Sequence, residues 1–187
     1  KIDFSNTITE DVATIENLFD FDYFYNGAGV GIEDLNNDGL KDIFFAGNQV
    51  PNRLYLNKGD LVFEDISESA QINVNKVWAN GITFADVNQD GFMDVYVSQG
   101  GPKQSQNRQN LLYINQGDLT FKEEAVAYGL HDNGISTQSV FLDYDHDGDL
   151  DCFVSNENEF YGLDPKTFYY QMEVKKENLL KSSTHLY

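Results

Sequence analysis

The nine-residue pattern D-x-[DN]-x-D-G-x-x-D occurs three times, over Asp34–Asp42, Asp86–Asp94 and Asp143–Asp151, and each copy stands between two apolar runs. A calcium ion takes about six to eight oxygen ligands at roughly 2.3 to 2.6 Å, and a short loop supplies them only if alternate side chains converge on one point. Asp34, Asn36 and Asp38 are spaced to do so, as are Asp86, Asn88 and Asp90, and Asp143, Asp145 and Asp147. Gly39, Gly91 and Gly148 follow at once, as suits a tight turn in backbone conformations that side chains disfavour. Position seven (Leu40, Phe92, Asp149) is then expected to offer its backbone carbonyl, and position nine (Asp42, Asp94, Asp151) to close the cage, with bidentate chelation open to it. The pattern thus predicts three calcium sites.

Other cations fit less well. Magnesium keeps several waters in a rigid octahedron, and zinc calls for His or Cys. A calcium EF-hand needs a bidentate Glu at position twelve, where this chain has Phe45, Val97 and Val154. These three lie in apolar, β-branched and aromatic runs that read as strands, so helical calcium loops are rejected. A single such loop reads equally well as an Asx-rich surface turn, because Asp, Asn and Gly dominate turns anyway. Three copies in register favour the metal. Without a cation the crowded acids repel one another, and loss of metal is expected to loosen the strand pair each loop joins. An affinity of ~0.1 to 1 mM suffices for ions that only hold an exported fold together.

The repeat has a period of roughly 55 residues, about the length of a four-stranded propeller blade. The likeness continues beyond the loops, since Arg53-Leu-Tyr55-Leu-Asn-Lys-Gly59-Asp-Leu-Val-Phe63 matches Leu111-Leu-Tyr113-Ile-Asn-Gln-Gly117-Asp-Leu-Thr-Phe121 at most positions. Each reads as a hairpin with an Asn-x-Gly-Asp turn. An all-β chain follows: a leading segment over 1–28, blade repeats over 29–80 and 81–137, and a third over 138–187. In the third, Leu186-Tyr187 stands where Leu54-Tyr55 and Leu112-Tyr113 stand. The repeat stops there, before its turn and fourth strand, so a fragment of a longer β-propeller is expected. About 158–183 forms an insertion with Phe160, Tyr161, Phe168, Tyr169 and Tyr170, then Lys175, Lys176 and Lys181. It reads as a long loop, either functional or packed on the blade beneath it.

Composition narrows the partners. Asp plus Glu number 31 against 12 Lys plus Arg, a net charge of -19, which opposes nucleic acids and anionic lipids. The 41% hydrophobic and 14% aromatic content is too high for a disordered acidic tail. Cys152 is the only cysteine, so no intrachain disulfide forms and bound ions are expected to supply the stability instead. No apolar run approaches the ~20 residues that span a bilayer, so direct membrane insertion is not expected. Lys1-Ile-Asp-Phe4 lacks the apolar core of a signal peptide, so export implies a leader already removed.

The triple acidic loop, with the Leu-Tyr-x-Asn-x-Gly hairpins, resembles the FG-GAP/VCBS-type repeats of the integrin α-chain β-propeller family. Phe24-Tyr-Asn-Gly-Ala-Gly-Val-Gly-Ile-Glu-Asp34 and Gln109-Asn-Leu-Leu-Tyr-Ile-Asn115 are similar to its cartilage-acidic-protein-like group, which includes Bacteroidetes surface proteins. The resemblance covers about residues 20 to 160. It implies a seven-bladed propeller, calcium at the loops, an exported or cell-surface location, and an adhesion, scaffold or ligand-binding role without a catalytic site. Departures from the pattern are Asn at the third loop position in two repeats, which lowers the site charge, and the shortened third repeat with its insertion.

Little else suggests chemistry. His131, His146 and His185 are scattered, and His146, at loop position four, is expected to point away from the ion. Cys152 reads as a small buried hydrophobe, and Trp78, Phe24 and Tyr25 as blade packing, with a sugar-facing role as the other use of such rings. The function expected is a non-catalytic calcium-binding module that binds protein or glycan at the cell surface, within a membrane-associated complex in one arrangement. The alternative is a calcium-dependent carbohydrate-active enzyme, a lyase or hydrolase, with catalytic residues outside these 187 residues.

Overall fold

The apolar runs flanking each acidic loop become antiparallel strand pairs. The computed structural model describes residues 1–72, 78–102, 108–158, 160, 163–174 and 184–187. In the first sheet β1 (Val30–Glu33), β2 (Asp42–Phe45), β3 (Arg53–Asn57) and β4 (Phe63–Asp65) pair in sequence order. The second repeats this with β5 (Ala79–Ala85), β6 (Asp94–Gln99), β7 (Leu111–Asn115) and β8 (Phe121–Glu123). The third holds β9 (Ile135–Leu142), β10 (Asp151–Glu157) and β11 (His185–Leu186). The all-β, blade-like architecture expected from the repeats is what the chain adopts. Position twelve of each loop falls on a strand, Phe45 in β2, Val97 in β6 and Val154 in β10, where no helical calcium loop has its last ligand.

Alternation along the middle sheet builds two cores. Strand β6 is buried along its whole length, because both of its faces are covered. Val95 and Val97 pack with Phe44, Leu54 and Tyr113 toward the first sheet. Tyr96 points the other way, to Leu112, Ile114, Cys152 and Val154 of the third-sheet side. A period of two in one strand therefore stitches three sheets together. Burial of this kind contributes about 1.5 to 3 kcal/mol per large apolar side chain.

The sheets meet closely along their first strands. Thr83 Oγ1 donates to the Ser139 carbonyl at 2.8 Å, and the Ala79 N–H to the Gly47 carbonyl at 3.0 Å. At Gly81 a Cβ would lie 2.1 Å from Gln138 Oε1 and 2.7 Å from the Thr137 carbonyl, so only glycine permits this approach.

The N-terminal segment packs across these sheets. Phe21 stands edge-on to Trp78 with ring centroids 5.3 Å apart, and Phe24 is fully buried beside them. Phe24 and Trp78 thus serve the core, whereas Tyr25 is exposed. The insertion expected as a long loop over about 158–183 carries a short helix, α1 (Pro165–Tyr169), continued by a π-helical turn over Tyr170–Val174. The Asp164 carboxylate accepts the Lys166 and Thr167 N–H groups, and Pro165 occupies the first helical position, a start signal that the aromatic content obscured. Tyr161, Lys175, Lys176 and Lys181 lie outside the described residues.

Candidate metal centre

Each acidic loop joins the first strand of a sheet to the second, at one end of the inner hairpin. The first two are built alike, bond for bond. Asp34 accepts the Asp38 N–H at 3.2 Å on one oxygen and the Gly39 N–H at 2.8 Å on the other. Asp86 does the same with Asp90 at 3.0 Å and Gly91 at 2.9 Å. The third and fifth side chains also touch, Asn36 to Asp38 at 3.0 Å and Asn88 to Asp90 at 2.9 Å. Leu40 and Phe92, at position seven, donate their N–H groups to the Asp38 and Asp90 carboxylates. Gly39, Gly91 and Gly148 have φ of 86°, 90° and 95°, which explains the glycine at position six.

Position nine is buried, at 1% exposure for both Asp42 and Asp94. Asp42 accepts the Leu35 N–H at 3.0 Å and the Asn57 N–H at 2.8 Å; Asp94 accepts Val87 at 2.9 Å and Asn115 at 2.8 Å. One carboxylate therefore ties the loop to the third strand of its own sheet. Burial raises the pKa of both acids, offset in part by these N–H groups and reinforced by the other loop carboxylates, and Asp94 is pushed up to about 6. A cation among these charges would relieve the repulsion.

The third loop differs. Asp143, Asp145 and Asp151 each bring an oxygen within 4.8 Å of the others. Asp151 accepts the Tyr144 N–H at 2.8 Å, as Asp42 and Asp94 do in their loops. Asp143 Oδ1, however, is buried without a hydrogen-bond partner, where Asp34 Oδ1 and Asp86 Oδ1 accept an N–H. A buried carboxylate oxygen left unpaired is costly, and a hard cation with oxygen preference would satisfy it. An all-oxygen donor set with that orphan atom fits calcium, and the oxygens already bonded to N–H groups in the other loops keep a second lone pair. Asp147 and Asp149 are exposed at the rim, where the Asp149 N–H donates to Asp147 at 3.1 Å, and side-chain hydrogen bonding to Asp147, then its charge, raises the Asp149 pKa.

Three features escaped the sequence reading. Neighbouring loops are bonded to each other through position four: Asn37 Nδ2 donates to the Gly91 carbonyl at 2.9 Å, and Gln89 Nε2 to the Gly148 carbonyl at 3.0 Å. Asn115, in the hairpin motif, also reaches the Leu35 carbonyl of the first loop at 2.8 Å. The recurrence of Asn57 and Asn115 ahead of a turn glycine was the available signal, and it was read only as a turn. Third, Asp132 lies at 5% exposure in a polar network that ends on the last strand. It accepts the Gly134 N–H at 2.6 Å, Asn156 Nδ2 at 3.0 Å and the Tyr187 hydroxyl at 3.0 Å, and meets His185 Nδ1 at 2.6 Å. His185 thus has a structural partner. Cys152 is fully buried with its pKa pushed up to about 12 by burial, which makes it inert. His146 has φ of 64° at position four, as Asn37 and Gln89 have 59°.

Residues 34–97 match the FG-GAP-like repeat. The chain is 31% identical over 134 residues to cartilage acidic protein 1 of Xenopus tropicalis, covering 71% of this chain and 20% of that protein. The human cartilage acidic protein 1 is 29% identical over 134 residues, with the same coverage of 71% and 20%. The chain therefore spans about a fifth of the length of the curated relatives it matches. Among the described residues no helix is long and apolar enough to cross a membrane. With its blade-like sheets and repeated acidic turns, the chain carries an FG-GAP-like repeat and is related in sequence to cartilage acidic protein 1.

Proposed function

We propose that this chain is a non-catalytic, calcium-braced propeller module of an exported or cell-surface protein, where it binds protein or glycan and scaffolds a surface complex. The observation that carries the calcium reading is the buried, unpartnered Asp143 Oδ1 beside Asp145 and Asp151. The two other loops support it, since in each the acids at positions one and five and the amide at position three are joined by the same bonds. The ligands assigned are Asp34, Asn36, Asp38 and Asp42; Asp86, Asn88, Asp90 and Asp94; and Asp143, Asp145, Asp147 and Asp151, with the carbonyls of Leu40, Phe92 and Asp149. In this role calcium pins the turn of each inner hairpin and takes no part in chemistry.

A binding role suits the rest of the chain. Asp132 and Asn110, buried away from the loops, are spent on hydrogen bonds within the fold, and the one cysteine is inert. An exported setting suits loops whose affinity need only match extracellular calcium.

The test is a thermal melt of chelated protein with calcium added back. A rise in Tm at millimolar calcium, absent with magnesium, is the expected result. No shift overturns the calcium reading. Release of products from polysaccharides in calcium, abolished by changes outside the loops, overturns the non-catalytic one.

A further inference from the structure

The end of the inner strands opposite the acidic loops holds a cavity of about 270 Å³. It is walled by the N-terminal segment, by the starts of β5 and β9 and by the end of β10, so the second and third sheets and that segment must assemble before it exists. We propose that this cavity binds one neutral sugar residue. The inference rests on the binding reading above and names its site and ligand class.

The chemistry of the walls selects the ligand. Phe21 and Ile135, each 1% exposed, provide an apolar floor. Around it stand the Asn26 and Asn80 amides, the Thr137 hydroxyl, the Tyr23 phenol and the Glu157 carboxylate. Asn80 Nδ2 donates to the Ser136 carbonyl at 2.7 Å and Thr137 Oγ1 to the Ser155 carbonyl at 3.1 Å, which fixes both groups while leaving oxygen lone pairs to accept. Tyr23 lies 3.5 Å from Glu157 Oε2, and the Glu157 charge raises the Tyr23 pKa, so the phenol remains a donor.

Among the described residues no Lys, Arg or His lines the cavity, so a phosphate, sulfate or uronate would meet Glu157 uncompensated there. A hard metal ion would find one carboxylate. A purely apolar ligand would strip water from the Glu157 carboxylate and from the remaining lone pairs of Asn80 and Thr137, and a simple ammonium would use Glu157 but not the amides and hydroxyls. A sugar ring offers a C–H face for the floor and several hydroxyls that both donate and accept, which matches every wall. The volume lies at the low end for small-molecule sites, near ~300 Å³, so it suits a single ring and not a chain.

Saturation-transfer NMR on the 187-residue chain in calcium tests this, with free glucose, galactose, mannose and N-acetylglucosamine at about 10 mM each. Transfer to the ring protons of at least one is expected. Glu157→Gln and Tyr23→Phe should each weaken that sugar about tenfold, as the loss of one charge-assisted hydrogen bond does. An unchanged calcium-dependent Tm shows that each variant is folded. The proposal is overturned by no transfer to any of the four, by stronger transfer to galacturonate or methylammonium, or by unchanged affinity in both variants. A calcium shift without sugar binding removes this site alone; sugar binding without a calcium shift removes the ion brace and leaves the site.

Discussion

The Asn37 side-chain amide of the first acidic loop donates to the Gly91 carbonyl of the second across 2.9 Å. Gln89 repeats the reach to Gly148 in the third at 3.0 Å. Ordering one loop therefore fixes a donor to the backbone of the next. Asn37→Ala and Gln89→Ala should each cost roughly 0.5 to 1.5 kcal/mol and make a calcium titration less steep. Calorimetric titration reads this directly; isotherms as steep as those of the parent chain refute coupling between loops.

Removal of single ligands should act locally. Asp38→Ala and Asp90→Ala each delete one position-five carboxylate, and each should remove the share of one site, roughly a third of the calcium-dependent rise in Tm. The double variant should lose about twice as much. A full rise in either single variant would count against the assigned ligands.

Phe44 is fully buried, and its ring lies 6.4 Å from that of Tyr113 in the neighbouring sheet. Phe44→Ala should leave a cavity between the first two sheets and destabilise by about 3 to 5 kcal/mol. Denaturant unfolding in calcium measures it. A change under about 1 kcal/mol would mean that the two sheets do not depend on this contact.

Acid should weaken the third sheet through Asp132. Burial alone would raise its pKa, but the Gly134 N–H, His185 and Asn156 outweigh that, and the folded value lies below that of an ordinary aspartate. The unfolded chain then binds more protons, so Asp132 adds stability above about pH 4 and that contribution is lost as pH falls through the lower, folded pKa. Asp132→Asn should be less stable at neutral pH and show a flatter decline between about pH 4 and 2. Thermal melts across that range decide it; parallel curves for the two proteins would refute the assignment.

The sequence made the blades legible because two periods coincide in it, alternation within strands and recurrence of the loop. Val95, Tyr96 and Val97 alternate between two cores as their spacing requires. The loop pattern located Asp143, Asp145 and Asp151 in one place for the same reason. What it could not show are relations between distant segments. Asp132 and His185 lie 53 positions apart, and no periodicity links them. Asn37 and Gly91 belong to different repeats, so their bond depends on how the sheets fan out, which no single repeat encodes. The helix at Pro165–Tyr169 was missed for the opposite reason. Its start signal, Asp164-Pro165, was present, but one turn and a half is too short for a helical period to emerge.

Placement of the acidic turns at one end of β1, β5 and β9, with the open cavity at the other, divides labour along each strand. Residues such as Asn26, Asn80 and Thr137 sit a whole strand length from the acids that brace the chain. Exchanging them would reshape the cavity wall without touching a loop carboxylate, so under the proposed sugar reading a skeleton of this kind can be retuned to new targets at the end far from its acidic turns.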